Sequence, residues 1–304
     1  VATNETRGRL LGLYMIVVLG GIAAGQFLLN LAARDGPELF ILVAILVSLA
    51  IVPMLLAAGP APTPTVAASV GPRLLYRVSP LASVACLAVG IALVALYGGV
   101  AALYARSIGL PVPALSLFVA LTILGGMLFQ WPDGLLSDRL DRRLVITAVA
   151  LAASLCAMLA ATTAAGPAVF VLFFLIGGLS LPLYSLCVAH ANDFMTREEM
   201  VGASGALLLV NGIGSALGPT LGAAAIELVG TIGFPLYLAA VHGAIGVFAL
   251  WRMTRRTAVP LAAQGPTIPI ATATPTPVAA ALVQEAAVEG AADAGEAAMI
   301  ARAG

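Results

Sequence analysis

Eight long apolar runs leave this chain few folds to choose from. They are Leu10 to Leu31, Leu39 to Ala58, Leu81 to Tyr104, Ala114 to Leu136, Leu144 to Ala164, Val169 to Ala189, Val201 to Ile226 and Phe234 to Trp251. A helix crosses the hydrocarbon core with roughly 20 mostly apolar residues, and inside lipid each backbone N–H and C=O must be satisfied within the protein. Barrel strands would alternate apolar and polar residues over about ten positions, whereas these runs are apolar all round. Only 9% of the residues are charged, against about 25% in soluble chains, and the mean hydropathy is +1.08. The sequence therefore predicts an all-α membrane protein with eight transmembrane helices.

Assigning the loops alternately to two sides collects Arg7, Arg9, Arg73, Arg77, Arg139, Arg142, Arg143, Arg197, Arg252, Arg255 and Arg256 on one side, and Arg34 and Arg106 on the other. By the positive-inside rule the first side is cytoplasmic, and both termini lie there, as expected of a multi-pass protein of the inner membrane. The first apolar run is too long, and lacks the small-residue cleavage pattern, to be a removable leader. Net charge is zero, so nothing attracts nucleic acid. Cys86, Cys156 and Cys187 each fall inside an apolar run without paired spacing, which predicts neither a disulfide framework nor a metal site. No cofactor motif is present, and a chain without lysine has no phosphate-loop Lys to drive an ATP-powered pump.

Two stretches fall outside the membrane. Residues 59–80 carry five prolines and read as an extended cytoplasmic linker. Beyond Trp251, residues 253–304 turn to Ala, Thr and Pro with scattered acids, a cytoplasmic tail whose composition predicts disorder from about 257 apart from a weak helix near 278–289. The linker divides two helices, residues 1–58, from a six-helix unit, residues 81–252. A shift of 193 positions lays the first run on the seventh, placing Gly12 on Gly205, Gly21 on Gly214 and Gly25 on Gly218. Glycines four apart (Gly21 and Gly25; Gly214, Gly218 and Gly222) let helix backbones approach closely in lipid, and Pro219 bends its helix. Parallel repeats of this kind build two-bundle transporters. The shift puts the first-half counterparts of runs three to six before residue 1, so the chain is expected to be truncated at its N-terminal side.

The densest charge lies in GLLSDRLDRR, residues 134–143. Gly134, Leu136, Ser137, Asp138, Arg139, Arg142 and Arg143 resemble a loop motif of the major facilitator superfamily, with Asp141 where that family usually has glycine. The flanking LGGMLFQWPDGLLSD, the opening NETRGRLLGLYMI and the segment ALLLVNGIGSALGPTLG are similar to its YcaD-like branch. The resemblance covers about residues 4–252. It implies helices five to twelve of a twelve-helix major facilitator fold, which is the end of the first bundle plus a complete second one. It also implies a cytoplasmic gate in which Asp138 faces the start of a helix from the other bundle, here around Thr6 to Arg9, with the arginines as braces. A carboxylate at the positive end of a helix gains roughly 0.3–1 kcal/mol, and about 2 when partly buried. The plainer alternative is a loop that simply obeys the positive-inside rule.

Polar residues inside spans are costly and often functional. Gln26, Asn30, Tyr97, Gln130, Tyr184 and Asn211 are the candidates for lining a substrate cavity, and His242 for carrying a coupling proton. The competing reading of each is an interhelical hydrogen bond worth about 0.6–2 kcal/mol, or, for His242, a neutral packed histidine. A rival class is an intramembrane serine hydrolase built on Ser204 in GASG and His242. Their depths, different by roughly 10 Å at 1.5 Å per helical residue, oppose it. The sequence thus points to a secondary carrier, not an enzyme, with a small-molecule substrate, the lipid bilayer as its environment and a proton as candidate coupling ion. A non-transporting scaffold or lipid-handling protein is the alternative.

Overall fold

A computed structural model describes residues 4–32, 36–56, 70–261, 264, 265 and 267; for residues 4–13, 54, 197, 198 and 201 only the backbone is described. The helices in chain order are α1 (Asn4–Gly25), extended by a 3-10 turn (Gln26–Asn30), α2 (Glu38–Leu56), α3 (Pro72–Val78), α4 (Pro80–Tyr97), α5 (Val100–Ser107), α6 (Val112–Arg139), α7 (Arg142–Thr162), α8 (Pro167–Asn192), α9 (Arg197–Val229) and α10 (Gly233–Met253). No strand occurs among the described residues. Six of these helices, α4 and α6–α10, are long and apolar enough to cross a membrane, and the first two runs appear as shorter apolar stretches, Tyr14–Asn30 and Glu38–Pro53.

Local chemistry sets the starts and breaks. Proline opens α3, α4 and α8 in the first turn, where its missing N–H is unsatisfied anyway. Asp141 caps α7 by accepting from the Arg143 N–H, and Thr196 with Glu199 forms a capping box on α9. The third apolar run is not one helix: it breaks at Gly98 and Gly99, where Gly99 takes φ +104, a left-handed conformation open to glycine. Residues 72–78 of the expected extended linker form a helix instead, because Leu75, fully buried, docks that turn on the bundle. Residues 57–69 and the weak helix expected near 278–289 lie outside the described residues.

The six long helices pack as one bundle through small residues. A Cβ on Gly214 or Gly218 of α9 would collide with the carbonyls of Leu87 or Ile91 on α4, and one on Gly90 with that of Asn211. The α6–α8 contact is built the same way: a Cβ on Gly125 would meet the Phe174 carbonyl, and one on Gly177 the Thr122 carbonyl. Lipid tails are as apolar as leucine, so such close fits, not apolar burial as such, hold helices together in a membrane. Between α7 and α10, Ser154 donates to the Ala239 carbonyl at 2.8 Å. At the bundle end away from the 134–143 loop, Tyr104, Phe118, Phe173 and Phe234 stack with ring centroids 4.6–6.2 Å apart. The 134–143 end is called the loop end below.

Helix α1 and its 3-10 extension lie against α6. Helix α2 has no comparable neighbour among the described residues, and nearly all its described side chains are exposed.

Candidate functional site

A cavity of about 430 Å³ opens between α1 and the six-helix bundle. Leu19 and Ile22 of α1 form one side; Leu93, Ile123, Leu181 and Leu208 supply most of the other. Its polar groups are few: Tyr97 at the end of α4, and Asn211 and Ser215 one turn apart on α9. Both of the larger ones are already oriented by the backbone of a neighbouring helix. The Tyr97 hydroxyl donates to the Gly177 carbonyl at 3.1 Å, and the Asn211 amide to the Cys86 carbonyl at 3.0 Å. Gly126 leaves the space the phenol occupies, since a Cβ there would lie 3.0 Å from its oxygen. The result is a mainly apolar chamber with a few fixed polar groups, the usual make-up of a small-molecule site.

Of the residues singled out in the sequence, Tyr97 and Asn211 line this chamber and the others do not. Gln26 donates to the Ile22 carbonyl one turn back. Asn30 is exposed, bonded to the Phe27 carbonyl. Tyr184 is buried within α8. Gln130 is buried and donates to Ser185 at 3.0 Å. Its Oε1 has no partner among the described residues, nor does Oδ2 of Asp133 three residues on. His242 is wholly buried between α8 and α10: Nδ1 lies 2.8 Å from the Leu238 carbonyl and Nε2 2.8 Å from Ser180 Oγ. Ser204 instead donates to the Met200 carbonyl, so the serine and histidine of the hydrolase alternative are not brought together. Gly214 and Gly218 meet α4, Gly222 lies against Ala95, Val100 and Tyr237, and a Cβ on Gly21 or Gly25 would have no described neighbour within 4 Å. Pro219 lies inside α9.

At the loop end the charged motif forms a connected network. Arg142, only 1% exposed, donates through Nη1 to both carboxylate oxygens of Asp193 at 2.7 Å. Its Nε donates to Ser137 at 2.9 Å, and its Nη2 to the Gly265 carbonyl at 2.6 Å. Burial pushes the Asp193 carboxyl up to about 6 against the opposing pull of Arg142 and the Gly265 N–H. Asp141 holds Arg143 through both of its oxygens, at 3.1 and 2.7 Å. The Arg143 guanidinium keeps that carboxyl below its ordinary value. This gives the departure from the family's glycine a physical role: Asp141 both caps α7 and fixes an arginine. Asp138 accepts from the Thr267 N–H at 2.8 Å and lies 3.7 Å from Arg142. Gly134 lies inside α6 and Arg139 ends it, exposed. The side chains of Thr6 to Arg9, the expected partners of Asp138, lie outside what is described.

Asp193 and the chain after α10 are the participants that sequence reasoning did not find. Gly265 and Thr267, within a tail expected to be disordered, lie across the loop and complete its hydrogen bonds. The paired glycines, Gly125–Gly126 and Gly177–Gly178, were the available signal for the α6–α8 contact.

Six membrane-length helices in one bundle, a seventh against them and a mainly apolar cavity between define a multi-pass membrane protein. The Major Facilitator Superfamily sequence profile matches residues 81–291, and the chain belongs to that superfamily. It is 32% identical over 221 residues to an uncharacterised MFS-type transporter of Enterobacter sp. strain 638, a match covering 72% of this chain and 56% of that protein. It is 30% identical to the uncharacterised MFS-type transporters YcaD of Salmonella arizonae and Salmonella paratyphi B, over 72% and 73% of the chain. The chain thus spans little more than half the length of these relatives, 56–57%. No solved structure matches it significantly.

Proposed function

We propose that this chain is the larger part of a secondary transporter that carries a small, uncharged and mostly apolar solute by alternating access. The observation that carries the reading is the position of the chamber. It lies between α1 and the six-helix bundle, where a carrier of two rocking bundles holds its substrate near the membrane midplane. The exposed flank of α2 and the lack of described neighbours beside Gly21 and Gly25 suit helices of the first bundle that the resemblance places before residue 1. The arginine distribution supports an inner-membrane protein with the loop end and both termini of this chain cytoplasmic. In this reading Asp138, Arg139, Arg142 and Arg143 belong to the cytoplasmic gate, and Asn211, Tyr97 and Ser215 contact the solute.

For a coupling proton, Asp133 is better suited than His242. Its buried Oδ2 lacks a partner among the described residues, whereas both ring nitrogens of His242 are engaged. The test is uptake of a panel of neutral apolar solutes by the complete reading frame in proteoliposomes under an imposed pH gradient. Asn211→Leu is expected to abolish uptake, Asp133→Asn to abolish its dependence on the gradient, and His242→Gln to leave that dependence intact. A purified protein that neither binds nor moves any solute favours the scaffold alternative and defeats the proposal.

A further inference from the structure

A second, smaller pocket lies at the loop end, beside the 134–143 network and against the first residues after α10. It measures about 20 Å³, and its walls include Ser79, Arg143, His190, Phe194, Arg252 and Arg256. The elements that meet here are the α3–α4 junction, the start of α7 and the ends of α8 and α10. A void of 10–15 Å³ already holds one water-sized group, so one oxygen of a ligand enters while the rest stays at the mouth.

Its chemistry is one-sided. Three guanidinium groups and an imidazole contribute to the wall, and no carboxylate does. Arg143 is neutralised by Asp141 at 2.7 Å, but neither Arg252 nor Arg256 is in an ion pair among the described residues. Arg256 donates to the Val78 carbonyl at 2.6 Å and spreads its guanidinium over the Phe194 ring, 3.9 Å from the centroid. That engages one of its nitrogens and leaves the others. Ser79 is 1% exposed, and its hydroxyl, buried in this wall, has no hydrogen-bond partner among the described residues. A buried hydroxyl without a partner is costly, and an acceptor brought by a ligand relieves that cost. His190, 5% exposed, likewise has no hydrogen bond to another described residue. A group that accepts hydrogen bonds from a hydroxyl and from the guanidinium groups of Arg252 and Arg256 at once, and carries negative charge, is an oxyanion. Arginine favours phosphate in particular, since its planar fork matches two phosphate oxygens.

We propose that this pocket is a binding site for a phosphate-type anion, either the phosphodiester of an anionic phospholipid or inorganic phosphate. Trp251 stands beside it, 48% exposed, with the Arg252 and Arg255 guanidinium groups 5.6 and 5.7 Å from its ring. Tryptophan and arginine together mark headgroup level, and basic pockets between helix ends take anionic headgroups.

The test is native mass spectrometry of the detergent-purified protein with dioctanoyl phosphatidylglycerol, dioctanoyl phosphatidylcholine as the neutral control, and inorganic phosphate as competitor. One phosphatidylglycerol per chain is expected, with no comparable retention of phosphatidylcholine. Arg252→Gln is expected to weaken binding at least tenfold, and Ser79→Ala several-fold without any change of charge. Arg255→Gln, which removes the same charge just outside the pocket, is expected to change it less than twofold. Displacement by millimolar phosphate identifies the free anion as the ligand, and resistance to it identifies the lipid. Equal losses from Arg252→Gln and Arg255→Gln would show only diffuse attraction and overturn the site, as would the absence of saturable binding by either anion. Arg252 is partly exposed, so the comparison of these two arginines stands even where Ser79→Ala does not fold.

Discussion

Removing Asp193 and removing Arg142 should not cost the same, although each destroys the same ion pair. Both side chains are almost wholly buried, at 1% and 2% exposure, and Arg142 uses three nitrogens on Asp193, Ser137 and Gly265. Asp193→Ala leaves a buried guanidinium that cannot give up its proton, and loss of one partner of a buried pair costs about 3–5 kcal/mol. Arg142→Met leaves a carboxylate whose folded-state value is already raised to about 6 by burial. Losing the cation lifts it further, so it takes up a proton and keeps its bond from the Gly265 N–H, 3.2 Å long. That reduces the cost to roughly that of an impaired buried hydrogen bond, about 1–3 kcal/mol. The double variant should be less damaged than the sum, because no unpaired charge remains. The assay is reversible unfolding of purified protein in mixed micelles by titration with SDS, run on all four variants at pH 7.5. Equal costs for the two single variants, or costs that add in the double to within about 0.5 kcal/mol, would refute the assignment of this pair as a desolvated, asymmetric one.

Four further outcomes follow from the same geometry. Gly214→Val and Gly90→Val should each abolish recovery of folded protein, since the new Cβ meets a carbonyl of the facing helix, whereas Gly205→Ala, with open space around it, should be recovered normally by size-exclusion chromatography. Asp141→Ala should cost about 1 kcal/mol in the same unfolding assay through loss of the α7 cap. Asp193, with a folded value above its ordinary 3.8, binds its proton earlier in the native state; stability should therefore rise as pH falls from 7 to 5, and Asp193→Asn should remove that rise. Asp141, with a lowered folded value, contributes stability that persists until the pH falls below about 4 and is then lost.

Length and hydropathy carried most of the fold, because a lipid-spanning helix must satisfy its own backbone and announces itself as an uninterrupted apolar run. The runs at 144–164, 169–189 and 234–251 return as α7, α8 and α10 nearly unchanged. What was lost were features that apolarity does not encode. The break at Gly98 and Gly99 is invisible to hydropathy and shows only as a glycine pair. Helix α3 exists because Leu75 is buried against other helices, a tertiary fact that a proline count cannot supply. Polarity within a span marked Tyr97 and Asn211, which face the chamber, and equally Gln130 and His242, which do not; one sequence position does not say which side of a helix faces a cavity. Asp193 was overlooked because a lone acid in a loop looks solvated, and its burial arises only where α8 and Arg142 converge.

The claim that the chamber between α1 and the bundle is an alternating-access site is tested most directly at Gly212, which lines it and has free space beside its backbone. Gly212→Cys, made in the complete protein with Cys86, Cys156 and Cys187 replaced by alanine, can be challenged with a membrane-impermeant maleimide from each face of oriented vesicles. Labelling from both faces is expected, with the two rates moving in opposite directions when a transported solute or a pH gradient is imposed. Labelling from one face only, or rates that rise and fall together, would contradict it.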